Sequence, residues 1–259
     1  MNTSSFENLF NLNGRHALIT GATQGIGRSI AHRLTQAGAE VILHCRNVRP
    51  ELHALIDELS QINKQKPKFV IGDLRTPGIC DEILRHSLDQ VPHVDILINN
   101  AAIQPTASLQ NISEKDIFDM LTINLATPLL LIKAFSKQKI ESGAVVNISS
   151  IEAIRPAMDH SHYASTKAGL LNLTMSSALE LGRKNIRVNS ICPGLTERPG
   201  LEDDWPEGVK SWQEKVPLGR LCRGEDIANS ALFLASDAAS FITGACITVD
   251  GGISSVSGW

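Results

Sequence analysis

Short aliphatic and β-branched runs alternate with helical stretches along almost the whole chain, and this rhythm constrains the fold more than any single residue. Strand-like segments fall at His16 to Thr20, Glu40 to His44, Lys68 to Asp73, Val94 to Asn99, Ala144 to Ser149, Ile186 to Ile191 and Cys246 to Val249. Between them apolar residues recur at helical spacing, as in Ile26, Ile30, Ala31, Leu34 and Ala37. Strands joined by helices pair in parallel, and a parallel sheet needs helices on both faces to keep its apolar strands dry. The expectation is an α/β fold built on one doubly wound parallel sheet. No linker, low-complexity tract or internal repeat interrupts the pattern, so residues 1–259 read as a single domain.

A chain of 259 residues can bury a full core. With 24 basic against 27 acidic residues it has no excess of positive charge to hold a polyanion, so no nucleic acid is expected as partner. The longest apolar stretch, near Leu125 to Phe135, is broken by Pro128 and Lys133, well short of the ~18 residues a membrane span needs. The N-terminus MNTSSFENLF lacks the basic start and apolar core of a signal segment. These features read as a soluble cytoplasmic protein with no membrane partner. The five cysteines are scattered, odd in number and never spaced Cys-x-x-Cys, which argues against a zinc site and a disulfide framework. The thiols read as reduced and mostly structural, and no metal is expected.

The first strand runs directly into Thr20-Gly21-Ala22-Thr23-Gln24-Gly25-Ile26-Gly27 and then a helix. Glycines let backbone turn sharply and approach a ligand, and a helix start offers free N–H groups and a positive dipole end to a pyrophosphate. A dinucleotide would sit here, although the Gly-x-x-x-Gly-x-Gly spacing differs from the usual fingerprint. A nucleotide-triphosphate loop fits worse, because it would need Ala22 as its leading glycine and Arg28 as its lysine. The second strand ends in His44-Cys45-Arg46-Asn47, where an acidic residue would hydrogen-bond the ribose 2′-hydroxyl of NAD. Arg46 would instead favour a 2′-phosphate, by about 1.5–3 kcal/mol for a charge-assisted bond. NADP(H) is therefore the preferred cofactor, with NAD(H) as the alternative, unless Arg46 is an ordinary exposed arginine at a strand end.

The chain has one tyrosine, Tyr163, with Lys167 four residues on. On a helix that spacing brings phenol and ammonium to one face, with Cβ atoms roughly 5–6 Å apart. Bringing a phenol from about 10 to neutrality costs about 4 kcal/mol, which one cation near 4 Å supplies at an effective dielectric of 20. The pair is thus either a proton-transfer centre or a simple surface contact, and its neighbours decide.

With the glycine turn, Tyr163 and Lys167 in view, the chain resembles the short-chain dehydrogenase/reductase family over nearly its whole length. The resemblance implies a Rossmann-type fold, with the cofactor part at about 14–150 and the catalytic part at about 150–259. Thr20 to Gly27 is similar to the family's cofactor loop, in which Gly21, Thr23, Gln24, Gly25, Ile26 and Gly27 would contact the dinucleotide. Gly72-Asp73-Leu74 resembles the segment that meets the adenine, through Asp73 and Leu74. Asn99-Asn100-Ala101-Ala102 is similar to the Asn-Asn-Ala-Gly motif, with Asn100 and Ala101 beside the cofactor and Ala102 in the glycine's place. Pro193-Gly194 matches the segment along the nicotinamide. Arg198 replaces the threonine usual four residues on, which leaves Thr196 as the nearest candidate contact.

The resemblance also carries a catalytic tetrad onto Asn124, Ser150, Tyr163 and Lys167. Ser150, not Ser149, stands 13 residues before the tyrosine, as the pattern requires. It implies hydride exchange with a carbonyl or alcohol. Ser150 would hydrogen-bond the substrate oxygen, Tyr163 would pass the proton, Lys167 would hold the nicotinamide ribose and lower the tyrosine's pKa, and Asn124 would anchor a water. It further implies a homo-oligomer, a tetramer or dimer. His160 and His162 flank the tyrosine, where they would line the substrate mouth or face water; no Gly-x-Ser-x-Gly elbow supports a hydrolase.

Residues 195–224 carry three prolines, two tryptophans and the acidic run Glu202-Asp203-Asp204 with little regular pattern. Such a segment is a lid or a solvated insertion. Gln104, Glu152, Arg155, His160, His162 and Arg198 would give the pocket a polar lining, which favours a sugar, polyol or keto acid. The alternative substrate is a 3-oxoacyl thioester on a carrier protein, and the alternative of another class is an NADP-binding sensor without turnover.

Overall fold

In a computed structural model describing residues 6–256, seven strands pair in the order β3-β2-β1-β4-β5-β6-β7, every neighbour parallel. They are β1 His16–Thr20, β2 Glu40–Cys45, β3 Lys68–Ile71, β4 Ile96–Asn99, β5 Gly143–Ile148, β6 Ile186–Pro193 and β7 Cys246–Val249. β1, β4 and β5 are buried at every position, as befits central strands covered on both faces. The edge strand β7 alternates between exposed and half-buried residues.

Among the described residues ten α-helices accompany the sheet: α1 Phe6–Leu9, α2 Gly25–Gln36, α3 Pro50–Asn63, α4 Ile79–Leu88, α5 Glu114–Leu121, α6 Thr127–Phe135, α7 Ser161–Leu181, α8 Leu201–Asp204, α9 Pro206–Lys215 and α10 Gly224–Ala235. Neighbouring strand residues point to opposite faces. Ala17 and Ile19 therefore join a core with Ile30 and Leu34 of α2, Leu55 of α3 and Ile227 of α10. Leu18 between them joins the opposite core with Ile83 of α4, Leu131 of α6 and Leu181 of α7. From β1 the chain moves outward to β2 and β3, then returns to place β4 on the other side of β1. The C-terminal ends of β1 and β4 therefore form the crevice where ligands of such sheets bind.

Two expectations need correction. The apolar run near Leu125 to Phe135 is part of a longer helix, because a π turn at Thr122–Ala126 fuses α5 to α6. Glu114–Phe135 is 22 residues long and holds an 18-residue window of mean hydropathy 1.5, long and apolar enough by length and composition to cross a membrane. Here it lies against α4 and α7, with Leu131, Ile132, Ala134 and Phe135 in the core. Pro128 does not end it, since it falls in the first turn after the π turn.

The segment 195–224 is also more regular than its composition suggests. Prolines and glycines that look like breakers mark the starts of α8 and α9: Gly200 precedes Leu201 at φ +75°, and Pro206 opens α9. Leu201, Val209 and Leu221 form a small core of their own, with Leu195 and Trp212 against it. A bridge between Thr196 and Cys222 pinches the segment at its base, with Glu197 N–H donating to Cys222 at 2.8 Å and Cys222 N–H to Leu195 at 2.9 Å.

Candidate active site

The turn after β1 shows why its glycines are required. Gly21 sits at φ +63° and Gly25 at φ +53°, a region that disfavours side chains. A Cβ on Gly27 would lie 2.3 Å from the Gly21 carbonyl oxygen and 2.5 Å from Asn100 Nδ2, so α2 starts directly against the turn. The Gln24 side chain does not cap α2, which leaves its first N–H groups for a ligand. Asn100 fastens the turn to β4: its amide donates to the Thr20 and Gly21 carbonyls at 2.9 and 3.0 Å, and its N–H donates to Thr20 Oγ1 at 2.9 Å. The Asn100 side chain thus shapes the cradle. Ala102 is not among the residues with positive φ, so losing the motif's glycine there carries no backbone strain.

Two adjoining clefts open over this turn. Gly21, Thr23, Gln24, Gly25, Ile26, Asn100 and Ala101 line the first, and Arg46, Asp73 and Leu74 line the second with Gly21, Thr23, Gln24 and Ala101. Gly27 lies beneath the turn. Glu197, Arg198 and Pro199 from the base of the 195–224 segment border the first cleft.

Arg49 and Arg75, which sequence reasoning missed, line the second cleft beside Arg46. Arg75 makes a bidentate pair with Asp73, at 3.0 and 2.6 Å, which pulls the Asp73 carboxyl down to about 2. That carboxylate is therefore already occupied, whereas Arg46 makes no ion pair among those found for the described residues. The signal for Arg75 lay only two residues beyond Asp73. His44, buried at the end of β2, sits 3.1 Å from the Gly72 carbonyl, and burial pulls its pKa down to about 4, so it stays neutral.

Ser150, Tyr163 and Lys167 meet at the same edge of the sheet. Ser150 caps the short 3₁₀ turn after β5, its hydroxyl accepting the Glu152 N–H at 3.1 Å. Tyr163 and Lys167 project from the first turns of α7, 8% and 2% exposed, with Lys167 Nζ 5.6 Å from the phenol ring centroid. The ammonium donates to the Ile148 carbonyl at 2.8 Å, which fixes it at the end of β5.

The electrostatics differ from the simple pair argument. Burial pushes the phenol up to about 12; the Ser150 hydroxyl works against this, and Glu152 adds to it. Burial also pulls Lys167 down to about 8. Lys167 stays mostly protonated at neutral pH, but the cost of desolvating the phenolate outweighs what its neighbours return, so in the protein alone the tyrosine is held as an acid, not lowered toward neutrality.

Asn124 lies in the π turn, a feature its sequence does not announce. Its amide exchanges hydrogen bonds with both backbone groups of Ile103 at 2.9 Å and reaches Thr166 Oγ1 at 3.3 Å. It ties the loop after β4 to α7 one residue from Lys167, and its own side chain is committed. π turns of this kind recur at functional sites.

Pro193 ends β6 and Gly194 follows it, its N–H donating to the Val249 carbonyl at 3.0 Å. Thr196 donates to the Gly194 carbonyl at 3.1 Å, so its hydroxyl serves the local turn. His160 accompanies the tyrosine, with ring centroids 6.2 Å apart, and bonds Glu152 at 2.9 Å, while Gln104 reaches Glu152 at 3.2 Å and His160 at 3.4 Å. His162 does not face water: it is buried, with neither ring nitrogen hydrogen-bonded.

The comparisons agree with this layout. Residues 21–254 match a family model described as enoyl-(acyl carrier protein) reductase. The chain is 34% identical to a 3-oxoacyl-[acyl-carrier-protein] reductase of Chlamydia trachomatis, covering 92% of this chain and 96% of that protein. It is also 34% identical to an L-xylulose reductase of Caenorhabditis elegans, covering 95% and 98%. Among solved structures, a 3-oxoacyl (acyl-carrier-protein) reductase from Agrobacterium tumefaciens with NADP bound superposes with a TM-score of 0.87 at 32% identity, covering 97% and 98%. A glycine turn at the sheet's switch point, a buried serine–tyrosine–lysine group beside it and matches along the whole length together place this chain in the short-chain dehydrogenase/reductase family of nicotinamide-dependent oxidoreductases.

Proposed function

We propose that the protein is an NADP(H)-preferring oxidoreductase of a polar carbonyl or secondary alcohol, in the class of a sugar, polyol or keto acid. The observation that carries the substrate class is the Gln104–Glu152–His160 cluster beside Tyr163, which offers both donors and acceptors at the mouth of the site. When bound, the nicotinamide gives or takes hydride at its carbon 4. Ser150 donates a hydrogen bond to the substrate oxygen as charge develops there. Tyr163 supplies the proton in reduction, the direction suited to a phenol held protonated, and accepts it in oxidation. Lys167 binds the ribose from its seat on the Ile148 carbonyl, and Asn124 keeps the loop after β4 in register with α7. Gly21 to Gly27, Asp73, Leu74, Ala101, Pro193, Gly194 and Thr196 line or shape the dinucleotide site, with Arg46 facing the 2′-phosphate.

A 3-oxoacyl thioester is the second reading, favoured by the kinship with 3-oxoacyl reductases. The acidic α8 beside the entrance, where Arg198 is already paired with Asp204 at 2.7 Å, is poorly suited to an acidic carrier protein. Residues 1–259 act as one cytoplasmic domain. It assembles as a tetramer or dimer through α5 to α7, which leave Phe118, Leu129, Leu130, Met175 and Leu179 exposed. The test is a screen of sugars, polyols, keto acids and 3-oxoacyl thioesters with both cofactors. Turnover confined to acyl thioesters overturns the substrate class, and stoichiometric cofactor binding without turnover on the whole panel overturns the enzymatic reading.

A further inference from the structure

The five thiols are not equivalent. Cys45, Cys80 and Cys222 are buried singly, and burial raises the pKa of each. Cys192 and Cys246, on the neighbouring strands β6 and β7, bring their sulfur atoms within 3.2 Å. Cys246 is exposed on the sheet edge and Cys192 is fully buried. Either sulfur can donate at this distance, but the exposed one is the cheaper to ionise, so sharing the proton pulls the Cys246 thiol down and pushes the buried Cys192 thiol up. Exposure, thiolate character and an adjacent second thiol are the three features that make a cysteine oxidisable and its oxidation reversible.

Cys192 also adjoins the site. It immediately precedes Pro193-Gly194 and interacts with the Ser149 side chain and the Ser150 backbone. We propose that Cys246 and Cys192 are a peroxide-responsive pair, Cys246 the sulfur oxidised first and Cys192 the one that closes a disulfide, so that oxidation restrains the active-site end of β6.

The steps balance. The Cys246 thiolate attacks a peroxide, the O–O bond breaks, an alcohol or water leaves with a proton from solvent, and Cys246 becomes a sulfenic acid. The Cys192 sulfur then attacks that sulfur, the S–O bond breaks, and water leaves with the Cys192 proton. Two thiols lose two electrons in all and the peroxide gains them.

Strand geometry gives this closure a cost. Ser190, not Cys192, pairs with Cys246, so the two cysteines are diagonal neighbours. On an untwisted ladder that places their Cα atoms roughly 8 Å apart, beyond the usual limit of about 6.8 Å for a disulfide. Closure must draw β7 along β6. As an edge strand β7 pairs with β6 alone, so the shift has to break the hydrogen bonds of only one ladder. A strained bridge is readily reduced, which suits a switch rather than a staple.

The test treats the full chain with hydrogen peroxide under limiting exposure and reads intact mass, peptide mass and NADP(H)-dependent turnover. Expected are a loss of two mass units, a linked peptide pair holding Cys192 and Cys246, and at least a tenfold fall in turnover that dithiothreitol reverses. Cys246→Ser should keep basal activity and lose the response, and Cys246→Ala serves if the serine variant folds poorly. Iodoacetamide at pH 6.5 should label Cys246 about tenfold faster than any other thiol. A mass gain of one or two oxygens without the linked pair overturns the role of Cys192. An equal fall in both Cys246 variants, or a bridged protein with unchanged turnover, overturns the coupling to the site. The mass readouts stand whether or not the substrate class is right.

Discussion

Lys167 offers a test that needs no substrate. Burial pulls its pKa from 10.5 to about 8 in the folded protein, and an unfolded chain restores the ordinary value. Between about pH 8 and 10.5 the unfolded state therefore holds a proton that the folded state has lost, so this residue makes stability rise with pH across that window. At about 1.36 kcal/mol per unit, the full difference is about 3 kcal/mol, with little solvent screening to discount because the side chain is 2% exposed. The perturbation is Lys167→Met, which keeps the length of the chain and removes the charge. Urea unfolding followed by tryptophan fluorescence at pH 7.5, 8.5, 9.5 and 10.5 yields the difference in stability between wild type and variant. Other titrating groups largely cancel in that difference. Wild type should gain on the variant by about 3 kcal/mol from pH 8 to 10.5, and Tyr163, raised from 10 to about 12, should act the opposite way only above pH 10. A difference that stays within about 1 kcal/mol over the window would mean an ammonium reached by water, and the account of a desolvated lysine beside the phenol would fail.

Arg46→Ala should lower the ratio of kcat/KM for NADPH over NADH about tenfold, and Arg75→Ala should lower it less, because Arg75 is already held by Asp73; an unchanged ratio in Arg46→Ala removes the basis for NADP(H) preference. Tyr163→Phe should reduce turnover at least a hundredfold while leaving NADP⁺ affinity within about twofold, measured by protein fluorescence; near-normal turnover would refute the proton-transfer role. Gly27→Ala should destabilise the fold by about 1–3 kcal/mol in urea melts, since the added methyl would meet the Gly21 carbonyl at 2.3 Å and outweigh any gain in helix propensity; equal or greater stability would show that α2 can move away.

The strands were legible because parallel strands bury both faces and so read as unbroken aliphatic runs. β1 and β7 appear with the expected bounds, and β3 ends at Ile71 because Gly72 and Asp73 turn toward the cleft. Helices α8 and α9 were not legible, since their few apolar contacts are made by Leu201, Val209 and Trp212 among charges and breakers, and most of their other residues are exposed. The family resemblance was what pointed to Asn124, Ser150, Tyr163 and Lys167 as a group, but the direction of the tyrosine's pKa could not be read from the chain, because it depends on burial. The same holds for Cys192 and Cys246: 54 residues separate them in the chain, and only the order of the strands brings their sulfurs together.

The π turn at Thr122–Ala126 has a further consequence for how this helix can vary. Its N–H(i)→O=C(i−5) pattern, seen in Thr127 donating to Thr122, absorbs one residue more than an α-turn would. It acts as a phase shifter of about 100° between two otherwise rigid rods. A one-residue deletion within it would let Glu114–Phe135 continue as uninterrupted α-helix. That would force a choice between two alignments: either the buried Leu131, Ile132 and Phe135 keep their seats and the exposed Phe118 rolls to a new direction, or Asn124 loses Ile103. The surface this helix presents outward and the loop it anchors inward are therefore geared to each other, and a change of length in one cannot leave the other untouched.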